Sequence, residues 1–159
     1  MLSEALAYFI TWTTYGSWLS GDERGWWVEG NPNAQLPNPQ RAQTAARLMS
    51  DDAVVLNDEQ RGLVDTAIRN LCQERGWLLH ECNVRTNHVH VVVTANDREP
   101  EVVREQIKAR GSKALSDHAG LPATASKNGR KKWWTEKGDI RRLWDEKSLE
   151  AAIVYVQNQ

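Results

Sequence analysis

Long apolar runs are missing from this chain, and no stretch approaches the roughly 20 residues that a bilayer-spanning helix needs, so no membrane partner is expected. The first residues lack a basic segment and carry Glu4, which argues against a secretory leader. Only two cysteines occur, Cys72 and Cys82. Their spacing fits neither a metal knuckle nor a disulfide framework, and it suits a reducing, cytoplasmic setting. Net charge is nearly absent too, at -1 over 159 residues. Its distribution is uneven. Residues 104–147 hold twelve Lys/Arg against six Asp/Glu, a balance of +6 that leaves -7 on the rest of the -1 chain. A basic C-terminal part points to a polyanionic partner, with a solvated charged face as the plainer explanation. Repeats and low-complexity segments are also lacking. The length suits one domain over residues 1–159, with an irregular insertion at about 24–56 where Asn31-Pro32-Asn33 and Leu36-Pro37-Asn38-Pro39 supply turn signals. Within it a short helix over Arg41 to Met49 is expected, and Trp26-Trp27 are candidates for pinning it down.

What is present is a recognisable order of elements. Ala7 to Tyr15 is rich in aromatic and β-branched residues and reads as a strand. Asn57, with Gln60 three positions on, reads as the start of a helix that Gly76 ends. Trp77 to Val84 is a second strand, joined through Arg85-Thr86-Asn87 to a third, His88 to Val93, as an antiparallel hairpin. A helix over Glu101 to His118 follows, with Arg104, Lys108, Arg110 and Lys113 on its exposed side. Trp133-Trp134-Thr135 and Ile140 to Trp144 are short strands, and Leu149 to Gln159 is a last helix. Strand, helix, strand, strand, helix, strand predicts an α+β, ferredoxin-like sandwich: an antiparallel sheet with helices on one face and a further C-terminal helix.

The chemistry centres on Asn87-His88-Val89-His90. Side chains alternate along a strand, so His88 and His90 share one face while Val89, Val91 and Val93 take the other, core-directed one. Two imidazoles on one face suit convergence on a metal ion, and they are expected on the open face of the sheet. The competing reading is a half-exposed strand that happens to carry two histidines. His80, on the neighbouring strand, reads as a satisfied structural histidine. On the last helix Tyr155 and Gln159 are four apart and share a face. A tyrosine beside a metal can attack a phosphodiester and form a covalent phosphotyrosine. Gln159 would add a neutral oxygen ligand, and a mixed imidazole and amide set suits Mg²⁺ or Mn²⁺. The chain holds eight tryptophans, and three of them, Trp133, Trp134 and Trp144, interleave with basic residues toward the C-terminus. Lys127, Arg130, Lys131, Lys132, Trp133, Trp134, Arg141 and Arg142 are therefore candidates for a single-stranded nucleic-acid groove, cations on phosphates and indoles on bases. An edge hairpin with buried tryptophans accounts for the same pattern.

These motifs together resemble a known family. Asn87-His88-Val89-His90 resembles the histidine–hydrophobic–histidine motif of the HUH endonucleases. Tyr155 with Gln159 resembles the catalytic tyrosine and metal-ligand glutamine of the single-tyrosine insertion-sequence transposases. Thr11 to Leu19, Gly21 to Trp26, and Trp133-Trp134-Thr135 through Glu146 are similar to signatures of the REP-associated tyrosine transposase-like group. The chain departs from that pattern at Arg85-Thr86, where many relatives have Met-Pro. The resemblance implies metal-dependent nicking and rejoining of single-stranded DNA near small hairpins, with Tyr155 as nucleophile and His88, His90 and Gln159 on the metal. It implies a monomer, or a homodimer in which the tyrosine helix serves the partner. The rival expectation is a catalytically decayed binding module of the same fold.

Overall fold

The computed structural model of the protein describes residues 4–17, 33–48, 53–120 and 132–159. The first strand, β1, runs Ala7–Thr13 and buries Tyr8, Ile10 and Trp12 on one face. A short helix, α1 (Pro39–Arg47), begins on an Asn38 cap with Pro39 in the first turn. The rest of the irregular insertion, Trp26-Trp27 included, falls largely outside the described residues.

Helix α2 (Asp58–Arg75) starts where the sequence predicts. The Asn57 side chain accepts from the Gln60 amide at 2.8 Å and the Gln60 side chain accepts from the Asn57 amide at 2.9 Å. Each bond satisfies an amide that the helix leaves unpaired. Gly76, at φ 71, closes the other end in the left-handed conformation that a side chain disfavours. Strand β2 (Leu78–Val84) turns back into β3 (His88–Thr94), and Arg85 N–H donates to the His88 carbonyl at 2.8 Å to close the hairpin. Helix α3 (Pro100–His118), strand β4 (Asp139–Leu143) and helix α4 (Glu146–Gln157) complete the chain. Asp145 caps α4 by accepting from Ser148 N–H at 2.7 Å, so the last helix begins three residues before the predicted Leu149.

The sheet order is β2-β3-β1-β4, antiparallel throughout. This is the ferredoxin-like order expected from the sequence. Val89, Val91 and Val93 enter a core shared with Val64, Ile68 and Leu71 of α2 and Val103, Ile107 and Leu115 of α3. The opposite face is not open as expected. Ala152 and Val156 of α4, with Leu149 and Ile153, close over Ala7, Val92 and Leu143. Strand β3 is thus buried on both sides along its middle, which explains why Val92 is as inaccessible as its core-facing neighbours.

Two further expectations are corrected. Lys108 is not on an exposed side; it is 5% accessible, and its ammonium donates to the Thr135 carbonyl at 2.9 Å and the Lys137 carbonyl at 2.6 Å. It ties α3 to the turn that enters β4. Trp133-Trp134-Thr135 is no independent strand, but meets β1's end through one bridge, Thr14 with Trp134.

Candidate active site

Sheet register brings the site together. One row of cross-strand neighbours runs Asn83 (β2), His90 (β3), Thr11 (β1) and Asp139 (β4). The adjacent row holds His88 opposite Thr13. Directly paired residues project to the same face, so Asn83, His90 and Thr11 all face α4. The histidine rings lie 4.8 Å apart, centroid to centroid, nearly perpendicular.

Each imidazole is oriented through Nδ1. His90 Nδ1 is 2.9 Å from the Thr11 hydroxyl, and His88 Nδ1 is 2.7 Å from the Asn87 side-chain oxygen. An amide oxygen only accepts, so His88 carries its proton on Nδ1 and a lone pair on Nε2. His90 takes the same tautomer when it donates to Thr11. Its Nε2 is buried and has no hydrogen-bond partner among the described residues. Buried polar atoms are seldom left without a partner, and a buried imidazole lone pair with no hydrogen bond is what a metal ion would use. Both rings are held neutral. Burial pushes His90 down to about 4, and the nearby His88 and Arg85 act in the same direction. His88 is lowered by burial and then by Arg85.

Helix α4 delivers the tyrosine. The Tyr155 ring stands 5.7 Å from the His90 ring in an edge-on contact, with Phe9 5.9 Å from Tyr155 and 5.8 Å from His90. Tyr155 remains 50% accessible, so its face toward solvent can receive a substrate. Gln159 follows at the helix end, where its amide nitrogen donates to the Tyr155 carbonyl at 3.2 Å and leaves its side-chain oxygen for another role. The structure therefore brings His88, His90 and Tyr155 together within one chain, while Gln159 places its main-chain oxygen against Asn83 and Arg85, the neighbours of the two histidines. His80 is elsewhere: it bonds Thr94 at 2.7 Å, at the far end of β3.

The nucleic-acid candidates divide. Trp133 and Trp134 are 5% and 9% accessible, and their indole N–H groups donate to Ser116 at 2.8 Å and the Lys108 carbonyl at 2.9 Å. They are core residues, which corrects the expectation that they stack bases. Gly111 makes this possible, because a Cβ there would stand 3.2 Å from the Trp134 ring. Among the described residues Trp144 is the exposed indole, at 62%. Its place just before the α4 cap, beside the two arginines, was the available clue. Arg141 lies opposite Phe9 in register and so on the same face as Tyr155. Arg142 takes the other face and reaches Glu99 at 3.4 Å. Lys132 is exposed, with its ammonium 5.7 Å above the Tyr15 ring. Lys127, Arg130 and Lys131 lie outside the described residues.

Nine solved chains share this fold, two of which serve as comparisons. One is a candidate transposase from Deinococcus radiodurans R1, similar with a TM-score of 0.52 at 15% identity over 98% of this chain and 91% of that one. The other is the REP-associated tyrosine transposase bound to a REP hairpin, with a TM-score of 0.55 at 13% identity over 98% of this chain and 67% of that one. These likenesses define a class, the transposase-type α+β fold. The family is read from the sequence: residues 49–159 match the model of the IS200-like transposases, and the chain belongs to that family. No curated protein matches the chain significantly. No helix among the described residues is long and apolar enough to cross a membrane.

Proposed function

We propose that this transposase-like protein nicks and rejoins single-stranded DNA at hairpin-associated sites through a covalent phosphotyrosine at Tyr155. One observation carries the reading: a half-exposed tyrosine stands 5.7 Å from a buried imidazole whose Nε2 has no partner among the described residues. The phenol loses its proton, its oxygen bonds to phosphorus, and the departing sugar oxygen leaves with a proton. The reverse attack by another strand's hydroxyl restores the phenol and joins the new ends. His88, His90 and the Gln159 side-chain oxygen would hold a divalent cation, Mg²⁺ or Mn²⁺. When bound, that cation polarises the scissile phosphate and offsets charge in the transition state. Arg141, on the site's face, and Lys132 supply phosphate contacts, with Lys127, Arg130, Lys131 and Arg142 as further candidates. The solved relative bound to a REP hairpin supports hairpin DNA as the substrate class.

The test is covalent trapping on a labelled pool of hairpin-bearing single-stranded oligonucleotides with Mn²⁺, Mg²⁺ or EDTA. A metal-dependent adduct mapping to Tyr155, absent in Tyr155→Phe while binding is retained, is the expected result. An adduct that survives Tyr155→Phe refutes the nucleophile. Salt-sensitive binding with no adduct under any metal would instead identify a decayed binding module.

A further inference from the structure

Two residues outside that set converge on the end of the tyrosine helix. The Asn83 amide nitrogen donates to the Val156 carbonyl at 2.9 Å and to the Gln159 main-chain oxygen at 3.2 Å. The Arg85 guanidinium donates to the same Gln159 oxygen at 2.9 Å. Asn83 is the register partner of His90, and Arg85 is the hairpin partner of His88. Each clamp residue thus sits beside one of the two imidazoles, on the face that α4 covers. The Val156 carbonyl belongs to the last turn of α4, where backbone donors are scarce and partial negative charge collects, and the Gln159 oxygen lies just past the Asn158 cap, so an amide and a guanidinium suit both acceptors. The apolar grip of α4 on the sheet is small by comparison: Ala152 and Val156 are its only fully buried side chains.

We propose that Asn83 and Arg85 are positioning residues, a polar clamp that seats the end of α4 on β2 of the same chain and thereby sets Tyr155 over His90. Their role in catalysis rests on the nuclease reading above. The clamp itself does not, because it is a statement about where α4 docks. It also assigns a use to Arg85, which spends its donor on the helix end instead of on a bound strand.

The test compares wild type with Asn83→Ala, Arg85→Ala and Arg85→Lys in the full chain. Hydrogen exchange of α4 amides is read against those of α2 as internal control. The His90 ring resonances report the Tyr155 ring above them, with Tyr155→Ala as reference. Arg85→Ala is expected to speed α4 exchange roughly tenfold or more, which is the loss of about one charged hydrogen bond, with α2 unchanged. It should also move the His90 resonances toward their Tyr155→Ala position. Arg85→Lys recovers part of both, since one ammonium donor can reach the same oxygen. With the oligonucleotide pool and Mn²⁺, the adduct rate should fall in Arg85→Ala while oligonucleotide affinity holds within about twofold. Unchanged α4 exchange and unchanged His90 resonances overturn the clamp. Faster exchange with an unaltered adduct rate overturns the positioning role. If wild type yields no adduct, the nuclease reading fails, and exchange and resonances still decide the clamp.

Discussion

Burial holds the His90 imidazole down to about 4 against an ordinary 6.5, and His88 and His80 are lowered by burial as well. Between those values the unfolded chain binds protons that the folded chain refuses. Stability is therefore complete above about pH 6.5 and declines as pH falls toward 4. For His90 the loss is on the order of 3 kcal/mol. Urea midpoints at pH 7 and pH 4.5, in EDTA, should show this slope, and His90→Asn should flatten it; a slope untouched by that change would contradict the neutral, buried assignment. Gly138 makes a different residue-scale claim. It has φ 137, and a Cβ there would stand 2.7 Å from the Thr11 carbonyl oxygen. Gly138→Ala should cost roughly 1–3 kcal/mol in thermal or urea unfolding, and it presses on the strand that orients His90. The paired histidines were legible in the sequence because period-two alternation needs no tertiary knowledge. Asn83 lies on the same face by that alternation without standing out, and Arg85 is marked in the sequence only as a departure from the family pattern. Their meaning depends on a helix that arrives some seventy positions later.

Among the elements, those with capping and turn chemistry matched expectation best. The reciprocal Asn57 and Gln60 bonds and the left-handed Gly76 are local, so the α2 boundaries follow from a few neighbouring residues. The Trp133-Trp134 segment misled for the opposite reason. Flanking lysines suggested a surface groove, but whether an indole is buried depends on the room left by other elements, here by Gly111 on α3. Trp134→Ala should thus behave as a core deletion and cost roughly 3–5 kcal/mol. Trp144→Ala should leave urea stability almost unchanged and weaken binding of single-stranded oligonucleotides by roughly 1–3 kcal/mol, the worth of a stacked base. Equal effects of the two substitutions on stability would reject this division. The covered sheet face was missed on similar grounds: the small apolar residues of α4 reveal a packing side but not which surface receives it.

At the scale of the whole molecule, the ferredoxin-like sandwich was legible because it follows from the succession of strands and helices along the chain, whereas the choice of site in one chain or between two chains was not. The Tyr155 ring lies against His90 of its own chain, which predicts a mixing result. Tyr155→Phe and His90→Ala proteins, combined in equal amounts, should not restore the adduct that each lacks. Recovery toward a quarter of the wild-type yield would mean that tyrosine and histidines are exchanged between copies, because half of the randomly formed dimers then carry one intact site of two. The same arrangement bears on when the protein becomes reactive. Thr11, the histidine pair and Tyr155 come from β1, β3 and α4, and only the completed sheet with α4 seated on it brings them within reach of one another. On the proposed chemistry, a partly folded or nicked chain carries a tyrosine with nothing to activate it. Correct folding is then a safety catch on the proposed strand breakage, keeping it silent in damaged or unfinished copies.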